Sequence, residues 1–258
     1  MDSTQELKLA VLIDADNVPS SNIKGMLEEI AKYGTPTFKR IYGDFTRPNL
    51  IGWKNVLLQH AITPVQQYSY TTGKNSSDSA LIIDAMDILY TGGVDGFCIV
   101  SSDSDFTRLA TRLREAGKKV FGIGEKKTPS AFIASCHKFI YIEILKKDSD
   151  DESQSPAVKV GKFSTKKVKH TKPGKRAGNE LSDLVVESIN DIAEEDGWVF
   201  LGVLGNLILK KRTDFDPRNY GFKKLLPLIK SLDRFTIDER NTGKSNIVHV
   251  YVKNVVSV

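Results

Sequence analysis

The sequence predicts an α/β protein: a Rossmann-like parallel sheet in its first 145 residues, followed by a small winged-helix domain. Three observations carry that prediction. Short apolar segments rich in β-branched residues alternate with segments of helical periodicity between Leu9 and Ile142. From Lys146 to Gly178 the apolar pattern stops and Lys, Ser, Asp, Thr, Pro and Gly dominate. At Leu181 the pattern returns as helical segments followed by two alternating ones. The expected organisation is therefore a domain over 1–145, a basic flexible linker over 146–178 and a second domain over 179–258.

Taken in order, Leu9–Ile13, Phe38–Tyr42, Ile62–Val65, Phe97–Val100, Val120–Ile123 and Phe139–Ile142 read as strands. Ile23–Tyr33, Leu50–His60, Ser76–Tyr90, Phe106–Ala116 and Ser130–Cys136 read as the helices between them. Repeated strand–helix alternation implies parallel strands joined by right-handed crossovers, with helices on both faces. Ligands of such sheets bind beyond the carboxyl ends of the strands, which says where to look for a site. In the second domain, helices are expected over Leu181–Glu195, over Leu201–Lys211 and from Pro217, a good first-turn residue, to Leu232. Phe235–Asp238 and Val248–Val252, around the turn-rich Asn241–Ser245, read as a hairpin.

Bulk properties exclude several classes. With 40% hydrophobic and 27% charged residues the chain has the composition of a globular protein, and no apolar run reaches the ~18 residues that span a bilayer. Met1–Leu9 is polar and lacks the pattern of a signal peptide, so a cytoplasmic protein without a membrane partner is expected. Cys98 and Cys136 lie in apolar surroundings, read as small buried side chains, and are too few for a thiolate zinc site. The net charge of +5 is unevenly placed. Residues 1–145 carry 16 basic and 16 acidic side chains, 146–178 carry 10 and 4, and 179–258 carry 11 and 12. The basic excess therefore sits in the linker, where it suits either solubility or a phosphate backbone.

The chemistry is expected where carboxylates gather at the strand ends. The first strand runs into Asp14-Ala15-Asp16-Asn17 and the fourth into Ser101-Ser102-Asp103-Ser104-Asp105-Phe106. Both acidic pairs follow parallel strands directly and so leave the sheet at the same end. Asp78 lies near the centre of the arc formed by Leu81, Ile82, Ala85, Ile88 and Leu89 on its helix, which turns it toward the sheet. Asp84 and Asp87 fall outside that arc and read as solvated helix charges. Asp44, after Gly43, is a weaker candidate because Asp after Gly is also a common turn residue.

Clustered carboxylates call for a hard divalent cation, Mg²⁺ or Mn²⁺, able to activate water and clamp phosphodiester oxygens. Asp14 and Asp103 are the leading ligands, with Asp78 and Asp105 behind them. Asn17, Ser101 and Ser102 are placed to hydrogen-bond a ligand carboxylate or a phosphate. Around this edge Lys74 and Asn75 could steer a phosphate backbone, and Arg108 would offer a basic rim. Gly122-Ile123-Gly124 reads as a strand-end turn and His137 as structural. In the second domain Trp198, Phe200, Tyr220 and Phe222 read as core. Lys210, Lys211, Arg212, Lys223 and Lys224 form its candidate nucleic-acid surface.

These same segments carry a resemblance. Val11-Leu12-Ile13-Asp14-Ala15-Asp16-Asn17, Ile41-Tyr42-Gly43-Asp44, Lys74-Asn75-Ser76-Ser77-Asp78 and Ser101-Ser102-Asp103-Ser104-Asp105-Phe106 resemble the NYN domain of the LabA-like group, within the PIN-like nuclease superfamily. The resemblance implies a metal-dependent ribonuclease with Asp14, Asp78, Asp103 and Asp105 as acidic ligands and Asn17 beside the first. Ser102 departs from the family pattern, which commonly has glycine there. Asp216-Pro217-Arg218-Asn219-Tyr220-Gly221-Phe222 and the helix after it resemble the OST-HTH (LOTUS) domain, which implies a winged helix for RNA or a protein partner.

The leading expectation is thus a ribonuclease whose C-terminal module binds RNA or a partner. One alternative is a regulator that binds RNA or protein without cutting. The other is a haloacid-dehalogenase-like phosphatase, suggested by the Asp-x-Asp-x-Val run Asp14–Val18, with the first Asp as nucleophile.

Overall fold

The computed structural model describes residues 6–68, 76–145, 175–241 and 248–255. The chain divides into two compact units, Met1–Ala157 and Val158–Val258.

The first unit is built on β1 (Lys8–Asp14), flanked by β2 (Thr35–Gly43) and β4 (Gly96–Val100). With β3 (Thr63–Gln66), β5 (Lys119–Gly124) and β6 (Lys138–Tyr141) these strands form one sheet in the order β3-β2-β1-β4-β5-β6. Every pairing is parallel. A central strand of such a sheet is covered on both faces, so its sequence is continuously apolar instead of alternating. Leu9, Val11 and Ile13 point into one layer, with Met26 and Ile30 of α1 (Ile23–Ile30) and Trp53 and Leu57 of α2 (Trp53–His60). Ala10 and Leu12 point into the other. There they join Leu81, Ala85 and Ile88 of α3 (Ser76–Thr91), Leu109 and Leu113 of α4 (Thr107–Glu115) and Phe132 of α5 (Ser130–Ser135). Burying a side chain of this size contributes roughly 1.5–3 kcal/mol. β1, buried from Leu9 to Asp14, accordingly lies at the centre of both layers.

The strand order reverses between β1 and β4, and the crevice past their carboxyl ends receives both acidic loops. Cys98 and Cys136 are buried free thiols, as expected. His137 accepts the Val120 N–H at Nδ1 (3.0 Å), a structural role. Gly122 and Gly124 lie inside β5 instead of in a turn after it. A Cβ on Gly124 would stand 2.5 Å from the Ser101 carbonyl oxygen, so glycine lets β5 press against the acidic loop.

The second unit has α6 (Lys175–Ile192), α7 (Leu201–Lys211), α8 (Leu225–Lys230) and a three-stranded antiparallel sheet. Its strands are β7 (Val199–Phe200), β8 (Phe235–Asn241) and β9 (Val248–Asn254), in the order β7-β9-β8. Two expectations are corrected here. The helix foreseen from Pro217 to Leu232 is split into a short 3-10 turn over Pro217–Tyr220 and α8, because Gly221 adopts φ +85°. That left-handed conformation ends a helix, and glycine reaches it without strain. The hairpin also gains β7 as a third strand; two residues are too short to leave a periodic signature. The expected turn over Asn241–Ser245 lies outside the described residues beyond Asn241, as does nearly all of the expected linker. Among the described residues, no helix is long and apolar enough to cross a membrane.

Candidate metal centre

Asp14 ends β1, which is buried from Leu9 onward, and is itself only 1% exposed. A carboxylate in that position needs donors. Asn17 Nδ2 (2.6 Å) and Ser101 Oγ (2.8 Å) both donate to Oδ2, and the Asp16 backbone N–H donates to Oδ1 (3.1 Å). Burial still prevails over these bonds and raises the Asp14 pKa. Ser101 Oγ also accepts the Asp103 N–H (3.1 Å), so one buried hydroxyl joins the loops after β1 and β4.

Asp103 caps the 3-10 turn Ser104–Phe106, its Oδ1 accepting the Asp105 N–H at 2.9 Å. The cap fixes the loop and leaves Asp103 half-buried, with Asp105 exposed beside it. Asp78, in the first turn of α3, completes the group: one carboxylate oxygen from each of Asp78, Asp103 and Asp105 lies within 4.8 Å of the others. Two oxygens on one Mg²⁺ or Mn²⁺ stand at most about 4.2 Å apart, twice the ~2.1 Å bond. A small contraction of the three would therefore enclose such an ion, and an all-carboxylate donor set suits a hard cation.

Electrostatics agree with the geometry. The Asp78 carboxyl is pushed up to about 6, first by burial and then by the charges of Asp14, Asp103, Asp105 and Asp16. A carboxylate in the first turn of a helix is ordinarily favoured by the helix dipole. Here burial, together with the neighbouring negative charges, outweighs it. A divalent ion would remove that repulsion.

Sequence reasoning and structure differ in emphasis at this site. Asp14 was expected to lead the ligands, whereas the close triad is Asp78, Asp103 and Asp105, with Asp14 held just behind by Ser101 and Asn17. Ser101 is fully buried and faces Asp14, and Ser102 Oγ accepts the Glu125 N–H at 2.8 Å, so both hold the loop together. The serine at 102 needs no left-handed backbone: among the described residues Ala61 is the only non-glycine with positive φ. Asp44 is engaged in its own turn, accepting from Thr46 Oγ1 (2.6 Å) and Gln66 Nε2 (2.8 Å). Arg108 is exposed three residues beyond Asp105, while Arg112 donates to the Tyr90 hydroxyl (2.8 Å). Lys74 and Asn75 lie outside the described residues.

Asp84 was read as a solvated charge and is not one. It pairs with Arg40 and accepts the hydrogen bond of the buried Tyr42 hydroxyl, both residues of β2. Periodicity within α3 could not reveal partners supplied by a strand more than 40 residues earlier.

In the second unit Phe222 is buried and Tyr220 packs against the core, as expected. Trp198 and Phe200 do not join that core; Phe200 is 39% exposed. Lys211 binds Asp191 (2.6 Å) and Glu187 (2.8 Å), and Arg212 binds Asp214 (3.1 Å), which offsets much of that basic run. Lys210, Lys223 and Lys224 are exposed.

A parallel α/β sheet with acidic side chains gathered at its switch point is the arrangement of a PIN-like nuclease fold. The chain belongs to the NYN domain family, whose model matches residues 8–143, and it carries an OST-HTH/LOTUS domain over 179–247. OST-HTH/LOTUS domains bind RNA. No curated protein matches the chain. Solved structures similar to it include the following two. A protein of unknown function from Vibrio parahaemolyticus shares 22% identity, covering 55% of this chain and 96% of that one, with a TM-score of 0.46. An uncharacterized protein from Nitrosomonas europaea shares 24% identity over 41% of this chain and 95% of that one, with a TM-score of 0.29. The family assignment removes the haloacid-dehalogenase-like alternative. Burial of Asp14 behind three donors also suits an orienting group better than an exposed nucleophile.

Proposed function

We propose that the protein is a metal-dependent ribonuclease that hydrolyses RNA phosphodiester bonds at the Asp78–Asp103–Asp105 edge, with the OST-HTH domain holding the RNA. The observation that carries this reading is the convergence of three carboxylate oxygens from two elements to within 4.8 Å, beside a fourth carboxylate. Mg²⁺ or Mn²⁺ bound there would supply Lewis-acid activation of water and neutralise charge on the phosphate. The chain's own residues set up that chemistry. Asp78, Asp103 and Asp105 would hold the ion, and Asp14, fixed by Ser101 and Asn17, would add negative charge behind it. Asp105, the most exposed of the triad, borders the path of the substrate. Arg108 stands one turn further along and offers its guanidinium to a flanking phosphate.

The test is cleavage of end-labelled single-stranded RNA with Mn²⁺ or Mg²⁺ by the full chain, its Asp103→Asn variant and an EDTA-treated sample. Asparagine can still cap the turn, so this variant separates chemistry from folding. The expected result is cutting that stops in EDTA and falls at least about 100-fold in Asp103→Asn, more than loss of an outer-shell partner costs. RNA that binds but is never cut, by wild type with either ion, overturns the reading in favour of a non-catalytic regulator.

A further inference from the structure

The outward face of the three-stranded sheet carries rings and cations instead of a neutral polar surface. In β9, Val252 points toward the core side with Ile237 and Val199, so by strand alternation His249, Tyr251 and Lys253 point the other way. Register places Phe200 opposite Tyr251 on one side and Arg240 opposite His249 on the other. Phe200 stands 5.2 Å from the His249 ring and 5.8 Å from Tyr251, while the Arg240 guanidinium lies 4.2 Å from the Tyr251 centroid and 5.6 Å from Trp198. Lys253 sits 6.0 Å from Trp198 and donates to the Asp196 carbonyl, which ties this end of the strand to the turn before β7. Asp238 Oδ2 accepts from Arg240 Nε at 2.7 Å and holds the guanidinium over the sheet.

We propose that this face binds single-stranded RNA by stacking bases on Phe200, Tyr251 and the Arg240 guanidinium plane, with Arg240 and Lys253 meeting phosphates. The inference rests on the RNA-binding role of the OST-HTH domain and assigns it a surface. Stacking platforms for single strands combine these two elements, aromatic rings and cations along one groove or sheet. Residues i and i+2 of a strand are separated by about 7 Å, so His249 and Tyr251 match the reach of an extended, unstacked nucleotide. A duplex hides its base faces and has nothing to offer the rings. On the alternative surface of α7, Lys211 is bound by two carboxylates and, among the described residues, carries no ring beside it, whereas Arg240 pairs with Asp238 and lies over Tyr251.

The experiment measures binding of a single-stranded RNA of about 12 nucleotides to the full chain in EDTA, where cleavage cannot intervene. Trp198 emission serves as the local reporter and the buried Trp53 as the internal reference. The variant is Phe200→Val with Tyr251→Val, which keeps strand propensity while removing two rings; Tyr251→Phe is its control. The expected result is quenching of Trp198 in wild type, affinity lowered about 100-fold in the double variant, about tenfold per ring, and retained in Tyr251→Phe. Binding within twofold of wild type, in a double variant that melts normally, overturns the proposal. So does loss on Lys210→Ala with Lys224→Ala while the rings are intact, a preference for duplex RNA, or no binding of any single strand. Mn²⁺-dependent cutting with binding unaffected by the ring changes would refute this surface and leave the ribonuclease reading standing. Ring-dependent binding without cutting would do the reverse.

Discussion

Asp78 and Asp84 lie six residues apart on α3, and their surroundings are opposite in kind. Asp84 meets a guanidinium and a phenol from β2, and the effect is visible in its partners. The Arg40 pKa is raised by the hydrogen bond to Asp84, and that of Tyr42 by burial and then by the same carboxylate. Asp78 meets Asp14, Asp103, Asp105 and Asp16. A buried acid whose partners come from the chain is a structural joint, fastening α3 to the sheet. An acid whose neighbours are other acids is destabilised until something from outside balances it. The contrast separates an unbalanced acidic cluster from a salt bridge.

The largest expected effect comes from cutting the structural joint. Asp84→Asn would leave Arg40 without its charge partner and should destabilise the N-terminal unit by about 2 kcal/mol. That lies below the 3–5 kcal/mol of a fully buried pair, because the two side chains retain 32% and 20% exposure. Thermal unfolding of the full chain would register it as a fall of several degrees, and an unchanged melting point would mean that the pair is not the joint described here.

Next in size is Ser101→Ala, which removes the hydroxyl joining Asp14 to the Asp103 loop. Mn²⁺ affinity, followed by calorimetry, should weaken about tenfold, the usual cost of an outer-shell partner. Wild-type affinity in this variant would show that Asp14 needs no such support.

The smallest effect has the opposite sign from the first. In the folded chain the Asp78 carboxyl stands at about 6, against 3.8 for its ordinary value. The folded state therefore holds the proton more tightly, and stability from this group declines as pH rises between those values. Metal-free Asp78→Asn protein at pH 7.5 should gain on the order of 1 kcal/mol over wild type, a figure reduced for solvent screening, and the gain should vanish near pH 4. Mn²⁺ affinity of the wild type should fall as pH drops through about 6, since the ligand is the carboxylate. A metal-free Asp78→Asn chain less stable than wild type at pH 7.5 would erase the distinction between the two aspartates.

Much of this was legible in sequence because it depends on short-range pattern. The apolar run Leu9–Ile13 identifies a strand buried on both faces, and acids placed directly after it and after Phe97–Val100 must leave the sheet at one end. The arc of Leu81, Ala85 and Ile88 turned Asp78 inward for the same local reason. What stayed hidden depends on partners distant along the chain. Arg40 and Tyr42 reach Asp84 only because β2 runs beside α3. Trp198 and Phe200 look like core by composition, yet the pairing of Phe200 with Tyr251 puts that ring on the outer face.

The sequence by itself determined the fold class, the two modules and the set of carboxylates at the strand ends, since periodicity and the place of an acid after a strand are local properties. Only the tertiary structure decided which carboxylates stand within 4.8 Å of one another and which are already paired. It also decided which rings of the small sheet face solvent. Distance, burial and strand register are properties of chain segments brought together from far apart, and no local pattern encodes them.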